Sequence, residues 1–312
     1  MTLVVAGHTY EKELRYSWAE REVLSSNAGV KMNPSGLFIA TDSVLTAHGS
    51  TGLQPVLDGF RKAYPVAIKI WKPYFLDGYF HSYQQVKFES SCFIAFAGSS
   101  LVAQHAMNVI TTHLGELRIT VNSMGKSTVI RDCQKNILKS AGYSKRWDED
   151  FFFFSEVEKI ITADDIAKHV EHSINIALKS AKKFKTSQVT VEAMRTDFSL
   201  GVQCPATKSY KLYVFRMCYQ FSADGLVVNT CAESVPAGKV AVLGMRQRFE
   251  EEAQKTFSTA LERGDSPEQA VFDFLNDAID RVSAEGSFEI SRPSSLKVLK
   301  NGKFSLKEHK NE

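Results

Sequence analysis

The sequence predicts an α+β fold made of antiparallel sheets with helices layered on them. Three observations predict it. Strand-like and helix-like segments come in blocks, in the order β-β-β-β, α, α, β-β-β, α, α, β-β, and not in the alternation of a parallel α/β sheet. Several strands read as short continuous apolar runs, the pattern of strands buried on both faces. The helical segments carry apolar positions at helical spacing or recognisable caps.

Taken in order, residues 2–6 read as a short strand, and a polar segment follows from Glu11 to Asn27. Residues 36–42 form a second buried strand, paired with the first across a long connection. Residues 66–71 and 80–88 are rich in Val, Ile, Phe and Tyr and flank a turn at Leu76–Tyr79 that contains Asp77-Gly78. The run Cys92–Gly98 is apolar throughout. Ser99 or Ser100 starts a helix to about Leu117, with Val102, Ala106, Val109 and Ile110 near helical spacing. Residues 120–160 give no clear pattern. Thr162 and Asp165 form a capping box that opens a helix to about Lys183, with Ile166, Val170, Ile174 and Ala177 as its buried stripe. Residues 198–204 and 210–218 read as strands, followed by a turn at Ser222–Gly225 and strands near 226–230 and 239–244. A helix over about 246–261 ends at Gly264. Ser266, Pro267 and Gln269 start the next helix, to about Val282. A hairpin around Asn301-Gly302 closes the order, and the tail after Leu306 is polar and frayed.

Bulk properties narrow the function classes. The chain has 312 residues, 44% hydrophobic and 23% charged, with a formal net charge of +3 and a pI near 8.5. Its Lys and Arg residues are scattered, so no nucleic-acid footprint is expected. Five cysteines without a C-x-x-C read as reduced thiols in a cytoplasmic protein. No signal peptide and no membrane span are expected. No linker and no repeat is visible, so a single domain over residues 1–312 is the expectation.

Most motifs fail on inspection. Met124–Thr128 contains Gly-Lys-Ser, but a phosphate-binding loop needs Gly at position 120, where Thr stands. His169 and His172 are three apart, whereas zinc proteases place them four apart with Glu after the first. No G-x-S-x-G elbow is present. The Phe151–Phe154 run is expected to pack against other segments of the chain or against a partner subunit, and the apolar segment 147–160 around it is a candidate subunit contact.

One constellation survives. Thr2 opens a strand, Asp42 closes the next, and an apolar strand ends in Ala97-Gly98-Ser99-Ser100. Removal of Met1, efficient when a small residue follows, would give Thr2 a free α-amine beside its hydroxyl. An α-amine titrates at about 7.7–8.0 and can accept the hydroxyl proton. Singly, each residue has a plainer account: Thr2 as a strand former, Asp42 as a turn cap.

Met1–Gly7, Gly36–Ser43 and Phe93–Leu101 together resemble the opening of proteasome β subunits, N-terminal nucleophile (Ntn) hydrolases, and among them the bacterial ancestral-β-type proteins. The resemblance covers roughly residues 2–306. It implies a four-layer α-β-β-α sandwich of two antiparallel sheets flanked by helices, with insertions near 8–35 and 47–90. It implies a threonine-type peptidase in a self-compartmentalised, ring-like homo-oligomer acting on peptide or protein substrates, with no cofactor and no metal; the sequence leaves open whether an unfoldase feeds it. Residue by residue, Thr2 matches the nucleophile, Asp42 the acid that orients the catalytic lysine, Thr46 a substrate-binding backbone position, and Gly98 the oxyanion N–H donor. Lys69 matches the lysine, with Lys87 as the alternate. Singly, Lys69 also reads as a solvated edge-strand charge. Met245 stands where the family commonly has Ser, and Glu285 and Ser287 stand near the position of a usual Asp. Those departures keep two alternatives open: a non-catalytic ring or scaffold subunit, and an Ntn amidohydrolase acting on a small amide.

Overall fold

The computed structural model describes residues 2–12, 32–49, 52–152, 157–179, 194–222 and 225–311. The chain divides into two compact units, Met1–Ala63 with Val235–Glu312, and Tyr64–Ser234. The first unit is discontinuous in sequence, so no compositional linker marks either boundary.

The first unit is a five-stranded antiparallel sheet. Its strands are β1 (Leu3–Lys12), β2 (Met32–Thr41), β12 (Ala241–Gly244), β13 (Ser294–Lys300) and β14 (Lys303–Lys310), in the order β12-β1-β2-β13-β14. β1 has ladder partners on both sides: Val5 faces Val242 on β12 and Ala40 on β2. Both faces of its first half are buried, which is why the sequence shows a continuous apolar run and no alternation. Two helices, α4 (Arg246–Arg263) and α5 (Pro267–Ala284), pack on this sheet. Leu3, Val5, Phe38, Phe249, Phe257 and Phe272 form the centre of that core, all at most 1% exposed. Each such side chain contributes about 1.5–3 kcal/mol by leaving water. A short hairpin of β3 (Leu45–Gly49) and β4 (Gly52–Leu57) follows β2.

The second unit is a seven-stranded sheet. Its strands are β5 (Ala63–Leu76), β6 (Tyr79–Gly98), β7 (Leu117–Val121), β8 (Ser127–Ile130), β9 (Thr196–Gln203), β10 (Tyr210–Ser222) and β11 (Gly225–Val235), in the order β11-β10-β9-β6-β5-β7-β8. Helices α1 (Ser100–Gly115) and α3 (Ala163–Lys179) pack on one another and on the sheet, and a short α2 (Ile137–Ala141) lies between them in sequence. Asp77 and Gly78 both take positive φ at the two-residue turn joining β5 to β6, as the sequence predicts. β6 is one strand of 20 residues where the sequence suggests two. β5 and β7 pair in parallel, Ile70 with Leu117, a departure from the all-antiparallel expectation. The chain leaves β6 through α1 before returning beside β5, and such a crossover permits parallel pairing.

The α+β class therefore stands, with five α-helices among the described residues. Each unit by itself has two layers, a sheet and a helix pair. The turn at Ser222–Gly225, the end of the Phe151–Phe154 run, most of the first connection and the predicted end of α3 near Lys183 lie outside the described residues. Within the run, Phe152 is buried and Phe151 exposed. No helix among the described residues is long and apolar enough to cross a membrane.

Candidate functional site: a buried lysine–aspartate pair beside Thr2

Thr2 sits at the foot of β1 and is 7% exposed. Its carbonyl accepts a hydrogen bond from the Met245 amide at 2.9 Å. That amide belongs to the residue capping α4, so the helix start pins the strand start. Met245 itself is buried in the sheet–helix core.

Asp42 follows β2 directly and is fully buried. A buried carboxylate needs its oxygens satisfied. Here Oδ1 accepts from the Leu3 amide at 2.9 Å, and Oδ2 accepts from the Val44 amide at 3.3 Å. The Asp42 amide in turn donates to the Leu3 carbonyl at 3.2 Å, and the Ser43 amide to the Ser291 carbonyl at 3.3 Å. Asp42 is thus locked to the peptide that joins Thr2 to Leu3.

The remaining partner of Asp42 is Lys62. Its Nζ donates to Oδ2 at 2.7 Å, and Lys62 is only 3% exposed. Burial pushes Lys62 below the ordinary ammonium value, and the charge and hydrogen bond of Asp42 oppose that shift. Burial likewise pushes Asp42 above the ordinary carboxylate value, against the charge of Lys62 and its three hydrogen bonds. A buried lysine with a lowered proton affinity, held by one carboxylate, is suited to moving a proton or supplying local positive charge. Its Nζ stands two hydrogen bonds from the Thr2–Leu3 peptide.

The structure brings Thr2, Asp42 and Lys62 together, and it places Lys69 and Lys87 elsewhere. Lys69 lies on β5, more than a third exposed, and pairs with Glu89 at 3.4 Å. Lys87 is an exposed residue of β6. No local pattern marks Lys62, which lies just before β5. Val66, Ile68 and Ile70 form the buried face of β5, so Lys69 faces the other way.

Gly98 ends β6 with φ of +126°. A Cβ there would stand 2.1 Å from the Arg195 carbonyl oxygen, which is enough to require glycine. Thr46 lies half-buried on β3, opposite Pro55, at a register shift. Glu285 pairs with Arg248 on the surface at the end of α5, and the Ser287 amide closes that helix on the Val282 carbonyl. Among the described residues, no group of three or more His, Cys, Asp or Glu is arranged to hold a metal.

Fold and site together define an α+β chain whose first strand starts against a buried ion pair. No protein-family model matches the chain, and no curated protein matches it. Solved structures similar to it include Anbu proteins. One, Anbu (ancestral beta-subunit) from Yersinia bercovieri, is 13% identical, with 99% of this chain and 86% of that chain covered and a TM-score of 0.44. A Gly-1 mutant of Anbu from Hyphomicrobium sp. strain MC1 is 11% identical, with 100% and 87% covered and a TM-score of 0.41. A further Anbu structure from that strain is 11% identical, with 99% and 87% covered and a TM-score of 0.40. These findings correct the resemblance to proteasome β subunits: the neighbours are a proteasome-like but distinct family, and the likeness to them is weak. At such identities and scores it carries no argument about activity or assembly.

Proposed function

We propose that the chain is an amide-bond hydrolase of the N-terminal nucleophile class, acting as a threonine-type peptidase through Thr2. The observation that carries this reading is the buried Asp42–Lys62 pair, bonded through Asp42 to the Leu3 amide one residue from the Thr2 hydroxyl. Cleavage of the bond preceding Thr2 would expose an α-amine as the base for that hydroxyl. Lys62 supplies positive charge that lowers the cost of the alkoxide, and Asp42 holds Lys62 in place. Thr2 then attacks the carbonyl carbon and forms an acyl-enzyme while the amine departs, and water releases the acid. In this reading Gly98 is the oxyanion N–H donor and Thr46 a backbone position for substrate. Lys62 takes the role that the sequence assigns to Lys69 or Lys87.

The test is intact mass before and after a peptide epoxyketone, which requires both the hydroxyl and the free amine of an N-terminal Thr. An adduct on Thr2, together with loss of hydrolysis in Thr2→Ala without loss of folding, is the expected result. Undiminished turnover in Thr2→Ala would sink the proposal. A non-catalytic scaffold is the second reading, favoured by the buried Met245 side chain and by the engagement of Glu285 with Arg248. A processed Thr2 that gives no adduct would select it. The homo-oligomeric ring belongs to the peptidase reading and has its own check, since light scattering that gives a monomer removes it.

A further inference from the structure

The second unit contains a cavity of about 520 Å³ between β8 and α3, lined by Thr128, Arg131, Asp165, Lys168, His169 and His172 among others. A volume of this order suits a small-molecule ligand. Arg131 is 8% exposed and lies against it. Its Nη1 meets His169 Nδ1 at 2.6 Å, a contact in which the guanidinium donates and the imidazole accepts. That fixes the His169 proton on Nε2 and makes Nε2 a donor. The Nε of Arg131 is buried and has no hydrogen-bond partner. Its side-on edge, the edge that grips a planar or tetrahedral oxyanion, is therefore not used by the described protein groups.

Counter-charge sets Arg131 apart from the other part-buried arginines among the described residues. Arg118 pairs with Asp132, Arg216 with Asp197 and Arg292 with Asp280. Among the described residues no carboxylate stands within salt-bridge distance of Arg131. Asp165, the acid lining the cavity, is held as a helix cap by the Thr162 amide at 3.0 Å and hydroxyl at 2.7 Å. The unbalanced charge is felt nearby: after burial, Arg131 is the next largest cause lowering each of His169, His113 and His172. His113 is occupied by Ser173 at 2.8 Å, and Lys168 stands exposed at the rim. A buried cation without a counter-ion is costly, and an anion entering the cavity would remove that cost.

We infer that this cavity is an oxyanion site for a phosphate group, free or on a small phosphomonoester, gripped by Arg131 and His169 with Lys168 at its mouth. It is independent of Thr2 and of the peptidase reading. It also does not depend on Gly125-Lys126-Ser127, which forms a hairpin turn braced by Asn122 and not a phosphate loop.

The experiment is calorimetric titration of the full chain with inorganic phosphate and with phenyl phosphate, at constant ionic strength in chloride. Saturable one-to-one binding is expected, weakened about 10- to 100-fold by Arg131→Gln, as loss of charge-assisted hydrogen bonds implies. Lys168→Ala, at an exposed position, should weaken binding less while leaving the melting curve unchanged. The His169 imidazole resonances of the unmodified protein should move on phosphate addition, a readout that needs no variant to fold. Tighter binding of phenyl phosphate assigns the site to a phosphomonoester; equal binding assigns it to free phosphate. Absence of saturable heat with either probe at millimolar concentration overturns the inference. So does binding that Arg131→Gln and Lys168→Ala leave untouched, and so does an oligomer that Arg131→Gln dissociates while phosphate fails to bind, which would make a second copy's carboxylate the counter-ion.

Discussion

Replacing Lys62 with Met removes the ammonium and keeps much of the side-chain volume. Asp42 is then left fully buried, with the Leu3 and Val44 amides as partners and no counter-charge. Breaking a buried ion pair from one side costs about 3–5 kcal/mol. That is a large part of the ~5–15 kcal/mol that holds a typical domain folded. At about 2–4 °C per kcal/mol it corresponds to a fall in Tm of roughly 6–20 °C. The penalty depends on pH, and its sign follows from linkage. In wild type the charge and hydrogen bond of Lys62 are what hold the Asp42 carboxyl down against burial. Without them the folded-state pKa rises further above the unfolded value. The folded variant then binds more protons than the unfolded chain between those two values, so it loses stability as pH rises through that window. Differential scanning calorimetry at pH 5 and pH 8 reads this directly. The gap between wild type and variant should be wide at pH 8 and narrower at pH 5, with hydrolysis reduced by two orders of magnitude or more at both. Equal melting of the two proteins at pH 8, or a gap that does not change with pH, would refute the buried-pair reasoning.

Gly98→Ala places a Cβ against the Arg195 carbonyl at a positive φ, and denaturant unfolding should show a loss of more than about 3 kcal/mol. Thr162→Ala removes a reciprocal cap, in which the Asp165 amide donates to Thr162 Oγ1 at 3.2 Å and Asp165 Oδ2 accepts from the Thr162 amide. Urea midpoints should fall by about 1 kcal/mol with no change in turnover. The His169 imidazole is pushed down to about 4 by burial and then by Arg131, so NMR titration should find it neutral at pH 6. Because its folded value lies below the ordinary 6.5, it costs the fold stability as pH falls from about 6.5 through 4.

Much of the local structure was legible because short-range chemistry fixes it. Ser266 accepts from the Gln269 amide with Pro267 at the first helical position, and Asn301 and Gly302 both take positive φ at the last hairpin. Thr2 and Asp42 stand out in the sequence because each opens or closes a strand of continuous apolar residues. The lysine that pairs with Asp42 was not read from the sequence. Lys69 sits inside a recognisable strand, and the resemblance to known subunits drew the choice there, although the alternation of Val66, Ile68 and Ile70 turns Lys69 outward. Lys62 precedes its strand, and only the return of the chain past Asp42, some twenty residues away, shows that it is buried. The β3–β4 and β7–β8 hairpins were missed because their strands are only four to six residues long, and β7 follows α1 with a single residue between them. The cavity beside Arg131 could not be read at all. It depends on β8 and α3 meeting across about forty residues, and nothing local to Arg131 announces that it will be buried.

The Asp42 carboxylate serves both Lys62 and the backbone of Leu3, and this constrains how the chain can change over time. Loss of either charged partner alone leaves a lone ion in the interior, so intermediates with one substitution are disfavoured whichever goes first. The two positions should therefore show strong epistasis, with a double replacement by apolar residues better tolerated than either single one. Lineages of this fold that abandon chemistry at the first strand would then discard the aspartate and the lysine as a unit. A descendant that retained both would still be under selection for the pair.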